Sequence, residues 1–159
     1  NIAGCEGAWT VPGVVSDDSR APQCGREAGN FGVNDLGTGC SVEDLCAEGW
    51  HVCADASEFG VASDDAACLG VPTPGTVFWL TRQTSLAGEL ECGADAGSGD
   101  NLVGCGTMGT MAPESCAPLG QVVTSDDCEA PWLCDGALAG EVVTKSDPLS
   151  SGGVLCCRD

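Results

Sequence analysis

Thirteen cysteines in a chain of 159 residues constrain this sequence more than any other feature. They make up about 8 % of the chain, which is near the level of disulfide scaffolds. Each bridge typically adds roughly 2–4 kcal/mol of stability, largely by restricting the unfolded chain. Since twelve cysteines can form six bridges, one is left over, either unpaired within the chain or joined to another chain. The set is Cys5, Cys24, Cys40, Cys46, Cys53, Cys68, Cys92, Cys105, Cys116, Cys128, Cys134, Cys156 and Cys157.

The cysteine content also predicts where the protein resides. Disulfides persist only in oxidising compartments. The chain starts at Asn1 and shows no basic and apolar leader, so we expect a mature form whose signal peptide has been removed. No apolar run approaches the ~20 residues that span a bilayer, which predicts no membrane insertion. We therefore expect a secreted protein, extracellular or at a cell surface.

The formal net charge of -19 excludes several classes of partner. Nucleic acid, heparin-like polymers and anionic lipid surfaces would all be repelled by such an acidic chain. What remains is binding of divalent cations, adaptation to saline surroundings, or simple solubility.

The spacing of the cysteines argues against zinc and haem. No two of them are spaced C-x-x-C, which zinc ribbons, thioredoxin-like motifs and covalent haem sites require in some form. The adjacent pair Cys156 and Cys157 predicts something else. Successive side chains of a strand point to opposite faces, so these two cysteines should bridge to two different partners. A strained bridge between the two is the alternative.

Glycine and proline interrupt the chain too often for a long amphipathic helix. Residues 41–46 are predicted to form a short helix, because Ser41 and Asp44 resemble a capping box, and residues 57–62 a second one. β-branched segments predict strands at 10–15, 76–81, 120–124, 141–144 and 153–157. The sequence thus predicts a β-rich α+β fold: a disulfide-dense, loop-rich single domain.

Few side chains suit catalysis. His51 is the only histidine, so a Ser-His-Asp or Cys-His site would have to use it, and no Gly-x-Ser-x-Gly motif occurs. Because His51 lies between a tryptophan and a cysteine, we interpret it as a packed structural residue. Paired carboxylates are plentiful, but the aromatic platforms usual in sugar-cleaving clefts are scarce. We do not expect an enzyme, and we assign no catalytic residue.

Calcium is the one cofactor that the sequence favours. Residues 95–101 alternate oxygen-bearing side chains with glycines, as hard-cation loops do, and the candidate ligands are Asp95, Asp100 and Asn101. The loop lacks the full EF-hand pattern. The alternative is that Asp and Gly serve the turn geometry alone.

Two segments carry a resemblance to a known family. Residues 45–59 read L-C-A-E-G-W-H-V-C-A-D-A-S-E-F, which resembles the C-P-x-G-W-H-V-P-x-x-x-E-F opening of bacterial surface domains with a C-type-lectin-like fold. Residues 153–159 are similar to the closing strand of the same domains. The resemblance implies a disulfide-stapled C-type-lectin-like domain over residues 46–159, preceded by an N-terminal arm or extension over residues 1–45.

The resemblance has departures that bear on function. Cys53 replaces the usual proline, and the sugar-binding motifs Glu-Pro-Asn and Trp-Asn-Asp are absent. It therefore implies a fold more than a sugar site. The arm would dock on its own chain or add a strand to a neighbour.

Together these features favour a secreted, non-enzymatic structural or adhesive subunit of an extracellular or cell-surface assembly, of which a filament is one form. Its partners would be further copies of itself or other surface proteins. The alternative is a calcium-assisted lectin or ligand-binding domain with a glycan as its partner.

Overall fold

The computed structural model describes residues 2–14, 21–29, 32–54, 58, 77–82, 85–86, 89–90, 101–106, 121–124, 130–134 and 139–159. Over these ranges the chain is rich in sheet and poor in helix. The 3₁₀ helix is Val42–Leu45 and the short helix α1 is Ala139–Val142. The strands are β1 Ile2–Glu6, β2 Trp50–Val52, β3 Phe78–Leu80, β4 Ser85–Leu86, β5 Glu89–Leu90, β6 Asn101–Gly106, β7 Gln121–Thr124, β8 Trp132–Leu133, β9 Thr144–Lys145 and β10 Gly152–Arg158. The prediction of a β-rich, disulfide-bonded fold is confirmed at this level.

The main sheet is built around β10. Its strand order is β1-β10-β3-β6-β7. β2 also pairs with β10, at residues 156–158, whereas β3 pairs with residues 152–154 of the same strand. β10 runs antiparallel to β1 and β2 but parallel to β3. The pairs β4–β5 and β8–β9 form two separate small sheets. Strands from the beginning, middle and end of the chain therefore meet on one central strand.

The central place of β10 follows from its sequence. Residues 152–157 form a continuous run without a charged side chain, and all of them are buried, whereas Arg158 at the strand end is exposed. A run that is apolar on both faces is typical of a strand covered on both sides. The predicted strand at 153–157 is thus confirmed, and so are the cores of those predicted at 76–81 and 120–124.

Gly152 permits the close approach of β10 to β3. Its φ is +88°, and a Cβ atom there would lie 2.1 Å from the carbonyl oxygen of Phe78. Gly39 has a similar φ of +72°, but a Cβ there would meet nothing within 4 Å. Substitutions at the two glycines therefore distinguish the cost of backbone strain, which both positions carry, from the cost of a steric clash, which only Gly152 carries.

We expect Gly152→Ala to lower the free energy of unfolding by about 2–3 kcal/mol, because strain and clash add. The matched variant Gly39→Ala carries the strain alone and should lose about 1 kcal/mol. Urea unfolding of the two variants measures the difference. Equal losses would show that β10 and β3 are not so close at this point.

The first strand lies in the same sheet as the last. Ile2 pairs with Cys157 and Glu6 with Gly153, so β1 is hydrogen-bonded along its length to β10 of its own chain. The strand at 2–6 is not among those that the sequence predicts. The division into an arm over 1–45 and a domain over 46–159 stays a prediction, but residues 2–6 dock in cis.

The core is organised by three aromatic rings. Trp9, Phe78 and Trp132 are almost completely buried. The ring of Trp132 meets Trp9 edge-on with 5.4 Å between centroids, and it meets Phe78 edge-on at 5.8 Å. Such edge-to-face pairs add to the gain from burying the rings themselves. This cluster joins residues that are far apart in sequence.

The helix prediction at 41–46 is confirmed as a 3₁₀ turn. Asp44 Oδ2 accepts hydrogen bonds from Ser41 N–H at 2.8 Å and from the Ser41 hydroxyl at 3.0 Å, which is the reciprocal half of a capping box. The other predicted helix, 57–62, lies outside the described residues except for Glu58.

Two strand predictions were wrong. Residues 10–14 lie in no strand; Val11 N–H bonds to Cys40 O at 2.9 Å and Val14 N–H to Gly140 O at 2.7 Å, while Pro12 has no N–H to donate to a ladder. Residues 141–144 fall on the end of α1 and the start of β9. Tertiary contacts here override the strand preference of β-branched residues.

Helices of the described ranges are too short, or not apolar enough, to cross a membrane.

Candidate functional site

The adjacent cysteines of β10 bridge to two different partners. Cys156 is bonded to Cys46 and Cys157 to Cys53. This confirms the prediction made from strand geometry and excludes a bridge between the two neighbours. Because Cys46 and Cys53 flank β2, the two bridges fasten β10 to this strand and to the 3₁₀ helix on opposite faces.

Apart from Cys5, the remaining cysteines fall into three groups. Cys24 and Cys40 form a third bridge, and Cys134 is also disulfide-bonded. Cys105 lies on β6, but its side chain is not described. The others lie outside the described residues: Cys68, Cys92, Cys116 and Cys128.

Cys5 on β1 is the free thiol within the described part of the chain. Its Sγ lies with those of Cys46 and Cys156 in a cluster whose members are all within 4.8 Å of one another. The thiol makes a long contact of 4.0 Å to its acceptor Ala3 O. Burial raises the pKa of Cys5 to about 11, so the group is a thiol rather than a thiolate at neutral pH.

An open cavity of about 380 Å³ lies beside this cluster. It is lined by Cys5 and Cys46 together with the charged residues Glu6, Arg26 and Asp44. Arg26 Nη1 donates to the carbonyl oxygens of Cys46 and, at 3.1 Å, of Ala47. The guanidinium therefore fixes the backbone at one wall of the cavity.

Asp44 holds the backbone of residues 23–26 in place beside the cavity. Its Oδ1 accepts from the N–H groups of Cys24 at 3.0 Å and Arg26 at 2.9 Å, and its Oδ2 accepts from Gln23 N–H at 2.8 Å as well as from Ser41. Burial raises the pKa of Asp44, but the four backbone hydrogen bonds outweigh it and hold that pKa below its ordinary value. Asp44 also lies near the Cys24–Cys40 sulfurs. Since its oxygens already accept these bonds, we interpret that group as structural rather than as a metal site.

A buried ion pair supports the same region. Glu43 Oε2 lies 2.6 Å from Arg82 Nη2, and it also accepts a longer bond of 3.3 Å from Val52 N–H. Both Glu43 and Arg82 are buried. The pair connects the 3₁₀ helix to β2 and to the residues after β3, so its role is positional.

His51 is held between two carboxylates. Its Nε2 lies 2.6 Å from Glu58 Oε1 and its Nδ1 lies 2.6 Å from Asp159 Oδ1. Burial lowers the pKa of His51, but the hydrogen bonds and charges of Asp159 and Glu58 outweigh it and raise that pKa above its ordinary value. Sequence reasoning singled out His51 but neither partner, because both become neighbours only through folding. A histidine held between two carboxylates in this way suits a structural link, and the absence of enzymatic activity stays a prediction.

The position of His51 between Glu58 and Asp159 predicts that the stability of the protein depends on pH. A histidine whose pKa is raised by folding stabilises the protein below its unfolded pKa, near 6.5, and that contribution disappears as pH rises through the folded value. His51→Gln should therefore cost about 1 kcal/mol at pH 5.5 and much less at pH 8.5, the small size reflecting a side chain that is about one-third exposed. Urea unfolding at both values tests this. A larger loss of stability at pH 8.5 than at pH 5.5 would contradict this role of His51. Asp159→Asn should weaken the same pH dependence.

The predicted calcium ligands lie almost entirely outside the described residues. Asp95 and Asp100 lie outside the described residues, and Asn101 begins β6 with its side chain undescribed. The structure thus brings together a set of residues that sequence reasoning did not combine: Cys5, the Cys46–Cys156 bridge, and the cavity beside them.

No protein family, no curated protein and no solved structure matches this chain.

Proposed function

We propose that this protein is a secreted, non-enzymatic structural or adhesive subunit of an extracellular or cell-surface assembly. The observation that carries the proposal is a firmly held loop that presents apolar side chains to solvent. Val33 is 86 % exposed and Leu36 is 59 % exposed. Exposed apolar groups this close together favour a contact surface, whereas single ones are ordinary.

The loop around these side chains is held in place at several points. The Cys24–Cys40 bridge closes it. Asn34 Nδ2 donates to Thr38 O at 2.8 Å, and Thr38 N–H donates back to Asn34 Oδ1 at 3.0 Å. A surface that is ordered before binding loses less conformational entropy on association. This rigidity suits a subunit that binds repeatedly in one geometry.

The edge of the main sheet supports the same proposal. β1 stands at one end of the strand order and pairs with β10 on one side, while its other side has no strand among the described residues. Such an edge accepts a strand from another chain. We expect the partner to be a further copy of the chain, because β1 can pair with the edge strand of another copy while the apolar loop contacts it.

The experiment compares three unreduced proteins by analytical ultracentrifugation over a range of concentrations. The wild type should form defined multimers, and Val33→Ser with Leu36→Ser should weaken self-association at least about tenfold, as the loss of two apolar contacts implies. Leu149→Ser is the matched control, because Leu149 is also 71 % exposed but lies on another segment. A double variant that assembles like the wild type would overturn the role of the loop.

A second candidate is a calcium-assisted lectin or ligand-binding domain with a C-type-lectin-like fold. The observation that favours it is that both segments carrying that resemblance are neighbours: β2 pairs with β10, and the Cys46–Cys156 and Cys53–Cys157 bridges join them. Melting in calcium and in chelator tests this candidate. Asp95→Asn with Asp100→Asn should remove a calcium-dependent rise in Tm that the exposed-site control Glu48→Gln retains. A Tm that ignores calcium would count against it.

A further inference from the structure

Three sulfur atoms from distant parts of the chain meet between β1 and β10. Cys5 belongs to β1, Cys156 to β10, and Cys46 directly follows the 3₁₀ helix. Their Sγ atoms all lie within 4.8 Å of one another, yet only Cys46 and Cys156 are bonded. A free thiol at this distance from a disulfide is placed for exchange, which proceeds by direct attack of sulfur on sulfur.

The surroundings favour Cys46 over Cys156 as the sulfur that Cys5 attacks. Cys5 and Cys46 both line the open cavity and Cys156 does not, although Cys46 and Cys156 are equally buried at 1 % exposed. The two residues that would join therefore lie at the same cavity, and half-buried Cys5 can release its proton there. The charged groups that share the cavity with Cys5 are Glu6, Arg26 and Asp44.

We propose that Cys5, Cys46 and Cys156 form an intramolecular thiol–disulfide switch. Cys5 Sγ attacks Cys46 Sγ; the Cys5–Cys46 bond forms and the Cys46–Cys156 bond breaks. The electron pair of the broken bond stays on Cys156 Sγ, which takes up a proton in place of the one that Cys5 released. One thiol and one disulfide are present before and after the step, so no oxidant or reductant is needed.

The rest of the structure tolerates this exchange. β10 remains fastened by the Cys53–Cys157 bridge and by its pairing with β1 and β2. β1 becomes covalently attached to the end of the 3₁₀ helix. The free thiol moves from half-buried Cys5 to buried Cys156, so the switch withdraws the thiol from the cavity.

The high pKa of Cys5 sets the rate. Because the thiolate is the attacking species, exchange should be slow at neutral pH and accelerate about tenfold per pH unit until the pH approaches the pKa of about 11. The resting protein keeps its thiol on Cys5.

The test locates the free thiol by mass spectrometry in the full-length protein. Samples held at pH 7 and pH 10 are quenched in acid, unfolded, labelled with N-ethylmaleimide and digested without reduction. We expect the label on Cys5 at pH 7, and on Cys156 as well after pH 10, together with a linked Cys5–Cys46 peptide. The rate should not depend on protein concentration. A label confined to Cys5 throughout, or exchange that slows on dilution, would overturn the proposal.

Two pairs of variants sharpen the result. In Cys5→Ser no label should appear on Cys156 at either pH, and its appearance would show that another thiol attacks the bridge. In Cys156→Ser, Cys5 and Cys46 should pair under air oxidation and escape labelling. The matched variant Cys157→Ser should instead expose Cys53 to the label and leave Cys5 labelled. If Cys5 and Cys46 both stay labelled in oxidised Cys156→Ser, the two sulfurs do not meet.

Discussion

Removing both disulfides of β10 should destabilise the protein by more than the sum of removing each one. The Cys46–Cys156 bridge spans 110 residues and the Cys53–Cys157 bridge spans 104. While one of them is intact, however, the other closes a loop of only about eight residues, because their ends are neighbours in sequence. While one bridge is intact, the other therefore restricts the unfolded chain only a little further.

Chain entropy gives the sizes of these effects. Replacing one pair of cysteines by alanine should cost about 2.5 kcal/mol, while replacing both pairs should cost up to about 7 kcal/mol. The upper value applies if no other bridge shortens the long loop, and Cys134 within that loop is itself bonded. A loss near 7 kcal/mol would unfold many domains outright, since their total stability is about 5–15 kcal/mol.

Urea unfolding of four proteins tests this prediction: the wild type, each single-bridge variant and the variant lacking both. The control is a further variant without the Cys24–Cys40 bridge, made with and without the β10 bridges, because that 16-residue separation should be worth about 3 kcal/mol in both backgrounds. Strictly additive losses for the two β10 bridges would show that they do not close the same loop.

Trp9→Ala should lower the free energy of unfolding by about 3–5 kcal/mol, the usual cost of emptying a large core site. Trp9 is completely buried, packs edge-on against Trp132, and donates from Nε1 to Val143 O at 3.0 Å. The substitution removes the ring and one of the two donors to that carbonyl oxygen, which keeps the N–H of Gly13 at 3.1 Å. It also loosens the contact between the N-terminal segment and the residues after α1.

Trp9→Phe separates packing from hydrogen bonding. It keeps an aromatic ring but loses the indole N–H, so it should cost about 1–3 kcal/mol. Chemical denaturation followed by far-ultraviolet circular dichroism avoids reliance on tryptophan fluorescence, which both variants change. A loss below about 1 kcal/mol for Trp9→Ala would mean that this site collapses freely and that the aromatic cluster does not organise the core.

The features of the fold that the sequence predicts correctly are those set by interactions between residues close together in the chain. The alternation of side chains in a strand was enough to predict that Cys156 and Cys157 bond to different partners, and Ser41 with Asp44 was enough to predict a short helix, which the structure forms as a 3₁₀ turn. The apolar run at the C-terminal end predicted β10. In each case the decisive interactions lie within a few residues or follow from backbone geometry.

Long-range contacts determine what the sequence did not show. β1 is a strand because β10 pairs with it, and its glycine and alanine carry little strand preference of their own. Residues 10–14 satisfy their backbone through contacts with Cys40, Gly140 and Val143 rather than through a ladder. The cluster of Cys5 with the Cys46–Cys156 bridge joins positions more than a hundred residues apart, and no spacing in the sequence indicates which cysteine stays free. The partners of His51 were missed for the same reason.

The most direct test of the proposed function is the size distribution of native, unreduced protein, measured by light scattering and negative-stain microscopy in calcium and in chelator. A structural subunit should form defined multimers or filaments in both conditions, since its contacts are apolar and backbone-mediated. A stable monomer in both conditions would contradict the proposal, and a monomer whose Tm depends on calcium would favour the ligand-binding alternative.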